Sequence, residues 1–158
     1  MRSYLVRHAV ALSRPGWWQP DELRPLDERG RRQAELLVDQ RDWSGVEAVL
    51  TSPTVRCRDT VRPLAERLGL DVTDQPVLAE GADPSRVLAL IETAPCDTVL
   101  CSHGDLIPEV VRLLHLRGAD LPATRRWQKG STWVIVHDGE RFVQARYTPP
   151  PDRSPAGH

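Results

Sequence analysis

Short apolar runs alternate along this chain with longer segments of helical period, the pattern of a sheet covered by helices on both faces. Strands are expected at Ser3–Val6, Ala48–Leu50, Asp97–Cys101, Thr132–His137 and Phe142–Arg146. Between them, Leu26–Arg41 places Ala34, Leu37 and Val38 on one stripe behind Asp27, a natural N-cap. Pro53–Leu68 carries Val55, Val61, Leu64, Ala65 and Leu68 and stops at Gly69, with an interruption expected at Pro63. Asp83 or Pro84 opens a shorter helix through Ile91, and Leu106–Leu116 forms another directly after the Asp97–Cys101 strand. Asp138-Gly139 between two alternating runs is a hairpin signal, which makes the last two strands antiparallel neighbours. The expected fold is therefore α/β, three layers deep, with a mixed and mostly parallel central sheet.

The connection from Ala9 to Pro25 is long for a compact domain, and loops of that length usually serve a site. It contains Trp17 and Trp18, which either wall a substrate or anchor the loop on the domain. From Thr148 onward proline and polar residues replace the apolar period, so a domain over 1–147 and a tail without fixed structure over 148–158 are expected.

Composition narrows the classes without choosing among them. A chain of 158 residues suffices for one hydrophobic core without disulfides or metal. Its 21 basic and 22 acidic residues nearly cancel, giving no electrostatic reason to expect nucleic acid or a membrane as partner. Three cysteines, Cys57, Cys96 and Cys101, lack the spacing of a zinc site and fit a reducing compartment. With no signal-peptide core at the start, a cytoplasmic location is expected.

Candidate chemistry collects at the carboxyl ends of strands, where open α/β sheets bind their ligands. Arg7-His8 follows the first strand, and Ser102-His103-Gly104 follows the Asp97–Cys101 strand. Arg56 stands in the first turn of the helix after the second strand. The helix after His103 adds the backbone N–H groups near Gly104 and Asp105, and helix N-termini favour phosphate. Together they make a phosphate pocket. A neutral His8 would attack phosphorus while Arg7, Arg56 and His103 hold the phosphoryl oxygens. On this logic no metal or other cofactor is needed. Cys57, beside Arg56, is either a buried helix cysteine or an oxidisable thiol.

These residues also carry a resemblance. Leu5-Val6-Arg7-His8-Ala9 resembles the Arg-His-Gly signature of the histidine phosphatase, or phosphoglycerate mutase-like, superfamily, with Ala9 in place of the glycine. Ser52-Pro53-x-x-Arg56-x-x-x-Thr60 and Ser102-His103-Gly104 are similar to its next two blocks, in order and spacing. Arg24-Pro25-Leu26-Asp27-Glu28-Arg29-Gly30 looks like the small SixA-like branch. Lys129-Gly130-Ser131-Thr132-Trp133 looks like the phosphatase-like domain of actinobacterial Nudix-fusion proteins, although this chain has no Nudix box.

The resemblance implies a phosphoglycerate mutase-like fold and a metal-independent phosphatase in which His8 is phosphorylated. It implies that Arg7, Arg56 and His103 bind the phosphoryl group, and that Glu80 is the general acid, with Asp105 in reserve or capping the next helix. The implied substrate is a phosphohistidine in a protein or a small phosphometabolite. A nucleotide phosphatase and a catalytically silent phosphate-binding or protein-interaction module stand as alternatives.

Overall fold

The computed structural model describes residues 1–152. Its centre is a six-stranded sheet: β1 (Arg2–Arg7), β2 (Val46–Thr51), β3 (Val72–Asp74), β4 (Asp97–Ser102), β5 (Thr132–His137) and β6 (Phe142–Thr148). The strand order is β3-β2-β4-β1-β5-β6. β3, β2, β4 and β1 run parallel to one another, whereas β5 is antiparallel to β1 and to β6. The mixed, mostly parallel sheet expected from the sequence is thus present.

Four helices cover it: α1 (Glu28–Leu37), α2 (Val55–Leu68), α3 (Pro84–Glu92) and α4 (Leu106–Leu116). The alternation of β1 sorts them into two layers. Tyr4 and Val6 point into a core with Leu37 of α1 and Val61, Leu64 and Ala65 of α2. Leu5 points the other way, into a core with Val87, Leu88 and Ile91 of α3 and Val110, Val111 and Leu114 of α4. β4 repeats the alternation, with Val99 and Cys101 on the first side and Leu100 on the second.

Local chemistry sets the boundaries. Asp27 caps α1 by accepting from Gly30 N at 2.8 Å, and Asp83 caps α3 by accepting from Ser85 N at 2.9 Å. α2 ends where Gly69 takes the left-handed conformation, φ +68°. In the β5–β6 hairpin, Asp138 Oδ1 accepts from Glu140 N and Arg141 N, both at 2.9 Å, and Gly139 turns the chain at φ +100°.

Four expectations change. α1 ends at Leu37 rather than running to Arg41, its last turns giving way to the loop that brings Trp43 into the core. α2 runs unbroken through Pro63, which faces the half-buried flank of the helix. β3 has no apolar alternation to betray it, being a three-residue edge strand held by pairing with β2. The tail begins later than Thr148, because β6 pairs through that residue and Asp152 accepts from Arg29 Nε at 2.9 Å and Gln33 Nε2 at 3.0 Å. The rest of the expected tail, 153–158, lies outside the described residues.

Candidate active site

Register brings the candidate residues together. Arg7 pairs with Ser102 and Thr51 with Cys101, so three parallel strands end in line. His8 N then donates to Ser102 O, and Ser52 N to Cys101 O, both at 3.0 Å. The chain leaves each strand at one edge, carrying His8, Ser52 and His103 to the same place. The His8 and His103 ring centroids lie 5.4 Å apart at 63°. A cavity of about 490 Å³ opens there, lined by Arg7, His8, Arg56, Glu80, His103 and Gly104 among others.

His8 is buried, and its Nδ1 lies 2.8 Å from Ala9 O. A carbonyl oxygen only accepts, so Nδ1 carries the hydrogen of the neutral ring and Nε2 keeps its lone pair. Burial, opposed by the Ala9 hydrogen bond and reinforced by His103, Arg56 and Arg7, brings the His8 pKa down to about 3. The ring is therefore neutral at physiological pH. Ala9, standing where the superfamily signature has glycine, is fully buried, and its N–H donates to Thr60 Oγ1 at 2.9 Å.

Arg7 is held by NH1, which donates to Trp127 O at 2.7 Å, while its Nε is buried with no partner. Burial lowers its pKa, against the raising influence of Tyr147 and Asp105. The guanidinium lies flat on Gly104, where a Cβ would come within 2.4 Å of NH2 and 2.5 Å of Cζ. Gly104, expected to act through its helix-end amide, thus also makes room for Arg7.

His103 is fastened at Nε2 to Ser52 Oγ, 2.8 Å away, and its Nδ1 is buried without a partner. Cys57 is wholly buried, with Sγ 3.6 Å from the same Nε2. Arg56 is 1% exposed. Its NH1 donates to Asp21 O at 2.9 Å and its NH2 to Asp21 Oδ2 at 3.0 Å, leaving Nε without a partner.

Asp21 escaped sequence reading, because a lone aspartate in an aperiodic loop carries no signal. It ties the long loop to the site through Arg56, Arg24 at 3.0 Å and Arg14 at 3.6 Å. Desolvation raises its pKa, but the Arg24 hydrogen bond and the charges of Arg56, Arg24 and Arg14 outweigh this and hold it below the usual carboxylate value. The loop is accordingly ordered, with 3-10 turns at Arg14–Gly16 and Asp21–Leu23 and a bridge from Ala11 to Leu26.

Glu80 lines the cavity, 3.0 Å from Arg14 NH2 and 3.5 Å from Arg56 NH2. Asp105 lines it too but does not cap its own helix with its side chain; its Oδ2 accepts from Gly81 N at 2.8 Å and fixes the turn bearing Glu80. The two tryptophans are not brought to the cavity lining. Trp18 is 84% exposed, and Trp17 donates from Nε1 to Pro20 O at 3.0 Å, inside its own loop.

Solved structures share this architecture. One of the protein histidine phosphatase SixA with tungstate superposes with a TM-score of 0.70 over 94% of each chain, at 22% identity. SixA of Nakamurella multipartitia gives 0.70 over 94% of this chain and 95% of that one, at 24% identity. A mycobacterial glucosyl-3-phosphoglycerate phosphatase gives 0.69 over 94% and 97%, at 19% identity. At these identities the likeness is one of fold. An 8-oxo-(d)GTP phosphatase of Mycolicibacterium smegmatis is 39% identical over 155 residues, covering 94% of this chain and 48% of that protein. The chain thus spans about half the length of this relative. The family model of the histidine phosphatase superfamily (branch 1) matches residues 3–82, from β1 through the turn bearing Glu80. That match covers half of the sequence and includes the ends of β1 and β2, and on it the chain belongs to the histidine phosphatase superfamily.

Proposed function

We propose that this protein is a phosphatase that works through a phosphohistidine formed on His8. The observation that carries the reading is a set of three buried nitrogens without partners, Arg7 Nε, Arg56 Nε and His103 Nδ1, on residues lining one cavity with Nε2 of His8. Buried donors are rarely left unpaired, and an anion with several acceptor oxygens would satisfy the two arginine N–H groups, and His103 Nδ1 in the tautomer that puts its hydrogen there.

In the first step the Nε2 lone pair of neutral His8 forms the N–P bond as the P–O bond to the leaving group breaks. Arg7, Arg56 and His103 supply donors to the phosphoryl oxygens, where charge is concentrated in the transition state. Glu80 gives the departing oxygen its proton and then takes one from the water that cleaves the N–P bond. That second step releases orthophosphate and restores His8. Ser52 holds the His103 ring, and Asp105 holds the turn bearing Glu80.

The substrate we favour is a small phosphorylated molecule, since a cavity of about 490 Å³ falls within the size range of small-ligand sites. A nucleotide substrate is supported by the 39% identity to a protein named for 8-oxo-(d)GTP, and a protein phosphohistidine by the SixA-like sequence blocks.

The test compares wild type with His8→Ala on para-nitrophenyl phosphate, a nucleoside phosphate and a phosphohistidine-bearing protein, in chelator. Turnover by wild type, lost in His8→Ala, is expected, with the phosphorylated intermediate trapped by acid quench. Equal activity in both proteins refutes the role of His8. No turnover on any donor, with vanadate still bound, selects the silent binding module instead.

A further inference from the structure

Of the five arginines and lysines that line the cavity, three are matched by two carboxylates: Arg14, Arg24 and Arg56 all lie on Asp21, and Arg14 and Arg56 also on Glu80. Among the described residues Arg7 has no carboxylate partner within 4.0 Å, and it belongs with the transferred phosphoryl group. Lys129 is left over. Among the described residues it has neither an ion pair within 4.0 Å nor a hydrogen bond from its side chain.

Its position is built. Gly130 N donates to Arg7 O at 3.1 Å and His8 O at 3.2 Å, and Arg7 N donates to Ser131 O at 3.0 Å. The turn at 129–131 is thereby stitched to the backbone of the nucleophile candidate itself. Gly130 takes φ +84°, a left-handed conformation that most side chains resist, and rests against the Gln33 amide, where a Cβ would be 3.1 Å from its carbon. Gln33 is buried; its Nε2 donates to Lys129 O at 3.3 Å while its Oε1 accepts from Val10 N at 3.0 Å. The backbone beneath Lys129 is fixed from both sides, and the residue, exposed to solvent, stands in the lining of the cavity.

The surroundings of its ammonium are cationic. Partial burial and the charges of Arg7, Arg24 and Arg14 lower its pKa, with Asp27 acting against them. A lysine serving only solubility has no reason to stand among arginines, whereas a bound anion there relieves the repulsion. The cavity is also larger than one phosphoryl group fills.

We propose that Lys129 forms a second anionic subsite, which receives a phosphate or carboxylate carried by the substrate beyond the phosphoryl group transferred to His8. The substrate class is then a doubly anionic small molecule, a proposal that rests on the phosphatase reading of the cavity. Lysine suits this role because a flexible point charge tolerates variation in where the second group falls.

Calorimetric titration with non-hydrolysable probes separates the two ideas. Methylphosphonate carries one anionic group, methylenebisphosphonate adds a phosphate-like one and phosphonoacetate a carboxylate. In wild type at least one two-anion probe binds about tenfold tighter than methylphosphonate, and which one does so identifies the second group. In Lys129→Ala that advantage falls to within about twofold, and Lys129→Arg restores most of it. Equal affinity of all three probes for wild type, or an advantage undiminished in Lys129→Ala, overturns the subsite and leaves the phosphatase reading standing. If no probe binds, the cavity is not an anion site and both proposals fall. In turnover, the preference for a doubly anionic substrate over para-nitrophenyl phosphate falls in Lys129→Ala by the same factor.

Discussion

Gly104→Ala isolates the contribution of one guanidinium without touching a charged residue. An alanine Cβ at 104 would lie 2.4 Å from Arg7 NH2, 2.5 Å from Cζ and 2.7 Å from Nε, against about 3.4 Å for ordinary contact. Gly104 does not have the positive φ that alanine resists, so the backbone accepts the change and the guanidinium must yield. It retreats by about 1 Å, which stretches its 2.7 Å bond to Trp127 O and displaces the unpartnered Nε. Displacement on this scale, or loss of one donor to developing charge, costs about a hundredfold in rate, or roughly 3 kcal/mol in the barrier. The assay is kcat/KM for para-nitrophenyl phosphate alongside the thermal midpoint, which is expected to move only a few degrees. Because both changes act through the same guanidinium, Arg7→Ala with Gly104→Ala is expected to be no worse than Arg7→Ala alone. Activity within threefold of wild type, or a double variant showing the full product of the two losses, would refute the reasoning.

Two other perturbations test the histidines. Ser52→Ala removes the 2.8 Å contact with His103 Nε2 and is expected to lower kcat about tenfold with KM nearly unchanged, as steady-state kinetics will show. His8 links stability to pH. Its pKa, about 3 in the folded state against 6.5 in the unfolded chain, means that the unfolded chain binds more protons between these values. Its contribution to stability is thus intact above pH 6.5 and is lost as pH falls toward 3. Between pH 7 and 5 this is about 2 kcal/mol, so urea denaturation of His8→Asn is expected to show that much less acid destabilisation than wild type. Equal losses in the two proteins would rule out the depressed pKa.

That Arg7, His8, Arg56 and His103 gather at one place, the candidate site, was legible in the sequence. Arg7, His8 and His103 stand at or next to the ends of strands with apolar runs and Arg56 in the first turn of the helix that follows one, and strand ends in a parallel sheet converge by geometry. Caps were equally legible where one side chain acts within three residues, as at Asp27 and Asp83. The contacts that escaped sequence reading act across long separations. Asp21 reaches Arg56, 35 positions away, and Asp105 reaches Gly81, 24 positions away. Neither contact has a sequence period.

The sequence by itself determined the alternation of strands and helices, the edge at which the chemistry gathers and the family to which the chain resembles. These follow from local propensity and from the periods 2 and 3.6, which each segment carries within itself. Only the tertiary structure decided what the long loop does. Trp17 and Trp18, the conspicuous residues in it, lie away from the cavity lining, while Asp21 binds the loop to Arg56. It also decided which proton His8 keeps, how little room position 104 leaves for a side chain and, among the described residues, that Lys129 has no side-chain partner. Those are properties of charge balance and packing around a shared cavity, and they exist only once segments distant in sequence stand within a few ångströms of one another.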